Sequence, residues 1–421
     1  MRLTMRERRA VVNATAKRYQ HASKKGRGVI LDEFTHTTGY TRTYAARVLA
    51  HWLRKKVLTI GGVRTIYVLG LKKSKPKGKN APKRPATYGS DIVRLLKILW
   101  AMAGGLCGKR LAPFIRDVVP VLERFEELPG LTREQRKKLL AVSPATIDRL
   151  LAPERAKYQL KGRSTTRPGS LLKHQIPIRT YSDWDENKPG FLEADLVAQD
   201  GGIPASNVIH SLTLTDVASG WTEVRALRSK ARRWVLEALK EMRSGLPFEI
   251  LGLDSDNGSE FINEELFLYC QDQHLTFTRS RSQRKNDSCF VEQKNYSVVR
   301  QAIGYARMDT EKQLACLKEL YRPLCLLTNY FLPSAKLLSK TRDGAHVTKK
   351  HDEPKTPYQR LLNHEAVDPN VKAHLKRRRR SLNPADLRRQ ISSCQERLTK
   401  MTETKAQTTL RKKRKHLDAI Y

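Results

Sequence analysis

The order of apolar patterns between residues 190 and 303 constrains this chain more than any other feature. "GFLEADLVAQ" (190–199), "NVIHSLTLTDV" (207–217) and "WTEVRAL" (221–227) are three successive β-rich runs, the last following a Ser219-Gly220 turn. Runs this close together, joined by tight turns, form an antiparallel meander. "RRWVLEALKEM" (232–242) then sets Val235, Ala238, Leu239 and Met242 at helical spacing. "FEILGLD" (248–254) is nearly unbroken apolar sequence, as expected of a strand covered on both faces. A helical stretch (259–273), an alternating strand "LTFTRS" (275–280) and a long helix (288–303) begun by Asp287 or Ser288 follow. Three antiparallel strands and then alternating helices and strands require a mixed α/β sheet.

A chain of 421 residues holds roughly two to four domains. The predicted organisation is a helix-turn-helix domain (1–70), a basic Pro-containing linker (71–89), a second helical domain (90–155) and a polar basic linker (156–185). The mixed-sheet core (186–310) and a basic helical C-terminal region (311–421) complete it. In residues 29–53, Ile30, Leu31 and Phe34 mark one helix, Gly39 a turn, and Ala45, Val48, Leu49 and Trp52 the inner face of a second. Arg42, Tyr44 and Arg47 then face outward near the second helix's start, where a recognition helix meets base edges. Residues 131–151 repeat the pattern, with Thr132 and Gln135 as a capping box and Ser143-Pro144 as another helix start. Either unit alone could be a plain helical hairpin.

Charge favours the DNA-binding reading. The chain has 81 Lys and Arg against 42 Asp and Glu, a formal net charge of +39. Such a field steers a protein to a polyanion, and nucleic acid is the first candidate. A membrane surface is second, but no amphipathic anchor or lipidation signal is present, and no apolar run reaches the about 18 residues of a spanning helix. The N-terminal residues lack the pattern of a secretory signal. The six cysteines are scattered without a C-x-x-C pair, which argues against zinc or a disulfide framework and for inert thiols in a reducing compartment. A cytoplasmic protein associated with DNA, in a bacterial nucleoid, is the expected setting.

Three acids stand out against this background. Asp195 lies inside the first strand among Leu192, Ala194, Leu196 and Val197, where an unpaired charge is costly. Asp256 sits at the mouth of the buried strand, and Glu292 about one turn into the last helix. If the first strand neighbours "FEILGLD" and the last helix packs across their ends, the three converge. Like charges so close raise one another's pKa unless a cation neutralises them. Hard oxygen donors of this kind suit Mg²⁺ or Mn²⁺.

With the first acid in "EADL", the second in "SDNGSEF" and the third in "RKNDSCFVEQKN", the chain resembles the DDE transposase and retroviral-type integrase superfamily. Between Asp256 and Glu292 lie 35 residues, the spacing of many members; Asp254 would leave 37. The resemblance covers residues 186–310, and the helical N-terminal half is similar to that of insertion-sequence transposases. It implies an RNase H-like fold. It also implies two divalent ions, with Asp195 bridging and Asp256 and Glu292 each completing one. The implied activity is cleavage at the ends of a mobile element and transfer of a DNA 3′-hydroxyl into target DNA by a homo-oligomer. The His/Cys zinc module of retroviral integrases is absent, so end recognition falls to the helix-turn-helix units. Rival readings are an RNase H-like nuclease that does not join, and a non-catalytic DNA-binding regulator with a decayed core, against which the intact acid triad argues.

Other residues are given plainer roles. Asp216 fits an Asx-type turn, Asp200 and Asp254 turns or strand ends, Glu193 a solvated position, and His210 an ordinary strand residue. Asn257 and Gly258 would shape the bend at Asp256. Lys294 and Arg300, like Lys285, lie near the third acid, and Lys294 and Arg300 would either contact DNA phosphates or line a solvated helix face. In the tail, Leu387, Ile391 and Leu398 provide a helical pairing surface for an oligomer, or the segment is a second DNA-binding element.

Overall fold

The computed structural model describes residues 3–60, 63–68, 87–157, 188–202, 207–256, 258, 260–279, 289–343 and 346–402. Most of both predicted linkers, Asn257, Lys285, Asp287, Ser288 and the basic run 411–415 lie outside the described residues. The chain divides into two compact units, Met1–Ala86 and Thr87–Tyr421.

The first unit contains α1 (Met5–His21), α2 (Lys24–Thr38) and α3 (Arg42–His51). Val12, Ala16, Ile30, Leu31, Phe34, Ala45, Val48 and Leu49 form their shared core. Gly39 ends α2 with φ +69°, a left-handed conformation that glycine adopts without strain. The stretch 1–70, read from sequence as helical, also holds a two-stranded antiparallel sheet, β1 (Lys55–Ile60) and β2 (Val63–Val68). Its signal was an alternating β-rich run on each side of Gly61-Gly62.

The second unit begins with α4 (Ser90–Met102), α5 (Gly108–Arg124), α6 (Arg133–Ala141) and α7 (Pro144–Lys157). The predicted capping box forms at Thr132 and Gln135. A five-stranded sheet follows: β3 (Phe191–Ala198), β4 (His210–Asp216), β5 (Thr222–Leu227), α8 (Arg232–Gly245), β6 (Gly252–Ser255), α9 (Glu264–Asp272) and β7 (Thr276–Arg279). Its order is β5-β4-β3-β6-β7. β3, β4 and β5 pair antiparallel, whereas β3–β6 and β6–β7 pair parallel. This is the mixed sheet that the pattern of residues 190–280 predicts.

The last helix of the core is not uniform. Cys289–Lys294 is α-helical (α10), Asn295–Arg300 is a π-helical turn and Gln301–Ile303 returns to α (α11). The region beyond Thr310, predicted to be helical, contains α12 (Glu311–Phe331), then the hairpin β8 (Leu337–Asp343) and β9 (His346–His351). α13 (Pro357–Asn363), α14 (Pro369–Ser381) and α15 (Pro384–Met401) follow.

The sheet separates two apolar layers. Leu192, Ala194, Leu196, Leu212 and Leu214 face α8 and α9. Val197, Val224 and Ala226 face the layer containing Val298, Val299 and α12. Residues 90–155, expected as a second helical domain, contribute Ile92, Leu96, Leu99, Trp100, Phe114 and Ile115 to that same core. α15 completes it with Leu387, Ile391 and Leu398, so the apolar stripe expected as a pairing surface is buried within the chain. Among the described residues no helix is long and apolar enough to cross a membrane.

Candidate active site

Residues on one strand alternate between faces, so Glu193, Asp195 and Val197 share a side of β3. Asp195 is partly buried. Its Oδ1 accepts a hydrogen bond from Leu196 N (2.7 Å), and its Oδ2 accepts one from Asn295 Nδ2 (2.6 Å). β6 lies beside β3 in parallel, with Ala194 opposite Ser255. Asp195, in the middle of β3, and Asp256, just past the end of β6, therefore stand at the same level of the two paired strands. Asp256 is held in its bend by Gly258 N, which donates to Asp256 Oδ1 (2.9 Å). A Cβ on Gly258 would stand 2.9 Å from that same oxygen and 2.8 Å from the Glu260 carboxyl group, so a side chain there would push these carboxyl groups aside.

Glu292 is exposed on α10, one helical turn before Asn295. Burial first, then repulsion from Asp256 and also from Glu292, pushes the Asp195 carboxyl up to about 8; the bonds from Leu196 and Asn295 oppose the shift. Asp256 is likewise raised, chiefly by burial and further by Glu260 and Glu292, while the Gly258 amide and Lys230 act in the opposite sense. The three acids thus act on one another electrostatically. Among the described residues no group of three His, Cys, Asp or Glu side chains stands close enough to form a ready-made metal cage.

The donor chemistry nevertheless fits a divalent cation. Carboxylate oxygens that raise one another's proton affinity are relieved by positive charge. Asn295 Oδ1, on the amide that grips Asp195, is buried with no hydrogen-bond partner among the described residues. An ion-bound water could satisfy it.

Two residues of this site were misjudged or missed in the sequence. Glu193, expected to be solvated, is fully buried, and its Oε2 accepts from Phe290 N and Val291 N, both at 2.9 Å. It pins the first turn of the helix carrying Glu292 to the strand carrying Asp195, using the orphan amides of a helix start. Asn295 was not singled out, although its position three residues after Glu292 places both on one helix face. Asp216 accepts from Gly190 N (2.8 Å) and Ser219 N (2.6 Å), the turn role expected of it. His210 is a buried strand residue with Nδ1 2.9 Å from Val208 O. Asp254 is buried and accepts from Thr278 Oγ1 (2.7 Å).

The residues expected to contact DNA fall into two groups. Arg42, Tyr44 and Arg47 are exposed on α3. Arg42 pairs with Asp32, and the Arg47 guanidinium lies over the Tyr44 ring at 5.8 Å. Lys294 and Arg300 require correction, because neither lies on the surface. Lys294 is 8 % exposed, and burial, with repulsion from Arg110 and Arg360, brings its ammonium down to about 7. Arg300 donates to Gln199 Oε1 (3.0 Å), Gly304 O (3.2 Å) and Ala198 O (2.8 Å), tying the helix to the end of β3. The π-helical turn changes which of residues 295–300 face inward, so ordinary helical spacing misplaces Arg300, whereas Lys294 precedes the turn.

No protein-family model matches the chain. It is 37% identical over 359 residues to the uncharacterized protein y4rM of Sinorhizobium fredii, spanning 85% of this chain and 96% of that protein. Among solved structures it is similar to the HTLV-2 integrase catalytic core domain in complex with magnesium (dimeric form), at 16% identity and TM-score 0.27, covering 35% of this chain and 90% of that one. It is also similar to the catalytic core domain of BIV integrase, at 15% identity and TM-score 0.26, covering 40% and 91%.

Proposed function

The chain belongs to the family of the uncharacterized protein y4rM, and we propose that it is a DDE-type transposase or integrase. It would cleave the ends of a mobile DNA element and join the 3′-hydroxyl to target DNA. The observation that supports this reading is the pairing of β3 with β6 in parallel, which sets Asp195 and Asp256 at the same level of adjacent strands, while the Glu292 charge raises both carboxyls.

In this reading Asp195 is the shared ligand of two Mg²⁺ or Mn²⁺ ions, and Asp256 and Glu292 each complete one. Bound ions of this kind supply an activated water or 3′-hydroxyl and stabilise charge on the departing oxygen. Asn295 orients the Asp195 carboxylate, and Glu193 holds α10 against β3. Glu292 stands exposed on the first turn of α10. On the separate N-terminal unit, Arg42, Tyr44 and Arg47 would meet the element's double-stranded DNA ends. A homo-oligomer would hold two ends together for joining.

The test is strand transfer with labelled oligonucleotides from the DNA flanking the gene, in Mg²⁺. Asp256→Asn should abolish both cleavage and joining while DNA binding stays within about twofold. Cleavage without joining by the wild type would favour a nuclease, and unimpaired joining by the variant would remove the metal-site reading.

A further inference from the structure

Glu292 and Lys294 are two residues apart on α10 and therefore face opposite sides of it. Lys294 points away from the acids into a cavity of about 110 Å³ that it lines together with Arg110. The helical stretch 294–303, α12 and α15 supply most of its wall, including Val298, Leu327 and Leu398. A space of this size holds several waters, by the criterion that one needs about 10–15 Å³.

The polar atoms around it are under-used. Among the described residues the Lys294 ammonium makes no hydrogen bond or ion pair, and its charged neighbours are Arg110 and Arg360. Arg360 is already paired with Asp352. Arg110 donates from Nε to Pro333 O (2.6 Å), which leaves its two terminal nitrogens without a partner among the described residues. Thr328 Oγ1 and Gln395 Oε1, both in the cavity wall, are buried and without a hydrogen-bond partner among the described residues. Three basic side chains, Lys294, Arg110 and Arg388, meet in the wall of this half-open pocket of mixed polarity, and none of its described lining residues is a carboxylate that could neutralise them.

We propose that this cavity is a binding site for a small phosphate-type oxyanion, free or as a compact phosphomonoester. Lys294 supplies a point charge and Arg110 a planar pair of donors, a combination suited to phosphate oxygens. The Thr328 hydroxyl donates to a further oxygen. Gln395 Oε1 needs a donor, which a P–OH group or a ligand hydroxyl provides. The apolar wall accommodates a short organic body. The inference does not depend on the role of the three acids.

The test is isothermal titration of the full chain with inorganic phosphate, ionic strength held constant with sodium chloride, together with Tm measured at each phosphate concentration. Saturable binding of one equivalent and a rising Tm are expected. Lys294→Met, which fills a similar volume without the charge, and Arg110→Gln should each weaken binding at least tenfold; if one fails to fold, the other gives the same reading. No saturable binding by the wild type, or unchanged binding by the folded variants, would overturn the proposal. Loss of the phosphate response on saturation with duplex DNA would overturn it too, by assigning these cations to DNA.

Discussion

Asn295 Nδ2 donates to Asp195 Oδ2 at 2.6 Å, a bond between residues one hundred positions apart that joins the start of the π-helical turn to the middle of β3. It fixes one oxygen of the carboxylate that Asp256 and Glu292 repel. Partners that orient metal ligands typically alter metal affinity by about 10–100-fold when removed. Asn295→Ala should therefore shift the Mg²⁺ dependence of strand transfer to concentrations about tenfold higher, with DNA affinity unaltered. A variant with unchanged Mg²⁺ dependence would show that the amide serves packing only.

The acid cluster should also give the metal-free protein an unusual pH profile. The Asp195 carboxyl is raised from 3.8 to about 8 in the folded protein, chiefly by burial and then by Asp256. Folding therefore favours its protonated form. The stability this contributes is fully present below the unfolded pKa and is lost as pH rises through about 8. Asp195→Asn removes that loss, so the Tm of the variant minus that of the wild type, measured in EDTA, should grow between pH 4 and pH 8. Adding Mg²⁺ to the wild type should raise Tm most at the upper end of this window. A constant difference between the two proteins would defeat the prediction.

Glu193 tests how the site is held together. Its Oε2 takes two first-turn amides of α10 from a position with no solvent exposure. Leaving such donors unsatisfied costs about 1–3 kcal/mol. Glu193→Ala should lower stability by about 2 kcal/mol in urea unfolding and, through displacement of Glu292, reduce kcat for strand transfer more than it changes KM for DNA. Glu193→Gln keeps an acceptor oxygen and should restore most of both. If Gln and Ala behave alike, the geometry of the helix start is not what the residue maintains.

These residues also mark where sequence reading ends. The strands and the mixed character of the sheet followed from residue patterns, because burial on one or two faces leaves a period in the sequence, whereas the adjacency of β3 and β6 was only supposed. The Asp216 turn and the Thr132–Gln135 capping box followed from local side-chain chemistry. Glu193, Lys294 and Arg300 did not, since a charged residue carries no mark of whether its partner is water or a distant backbone. The π-helical turn added to this: it changes the facing of residues 295–300, which a fixed helical period cannot anticipate. The β1–β2 hairpin had a readable signal that the surrounding helical pattern obscured.

The buried Arg300 and the exposed Arg47 should separate folding from DNA binding. Arg300 donates to three oxygens around the end of β3, and its removal leaves those acceptors poorly satisfied. Arg300→Ala should cost on the order of 3 kcal/mol in urea unfolding, while the salt dependence of DNA affinity stays that of the wild type at temperatures where the variant is folded. Arg47 lies exposed on α3 beside Tyr44, so Arg47→Ala should leave Tm within about 2 °C, as for surface changes away from special features. If Arg47 meets a phosphate, removing that single charge makes the slope of log K against log salt shallower by about 0.9. An interaction with a base edge would instead leave the slope alone and relax sequence preference at one position. Measuring both variants at several salt concentrations, on specific and scrambled duplexes, distinguishes these outcomes; a change in slope for Arg300→Ala with none for Arg47→Ala would reverse the assignment of the two residues.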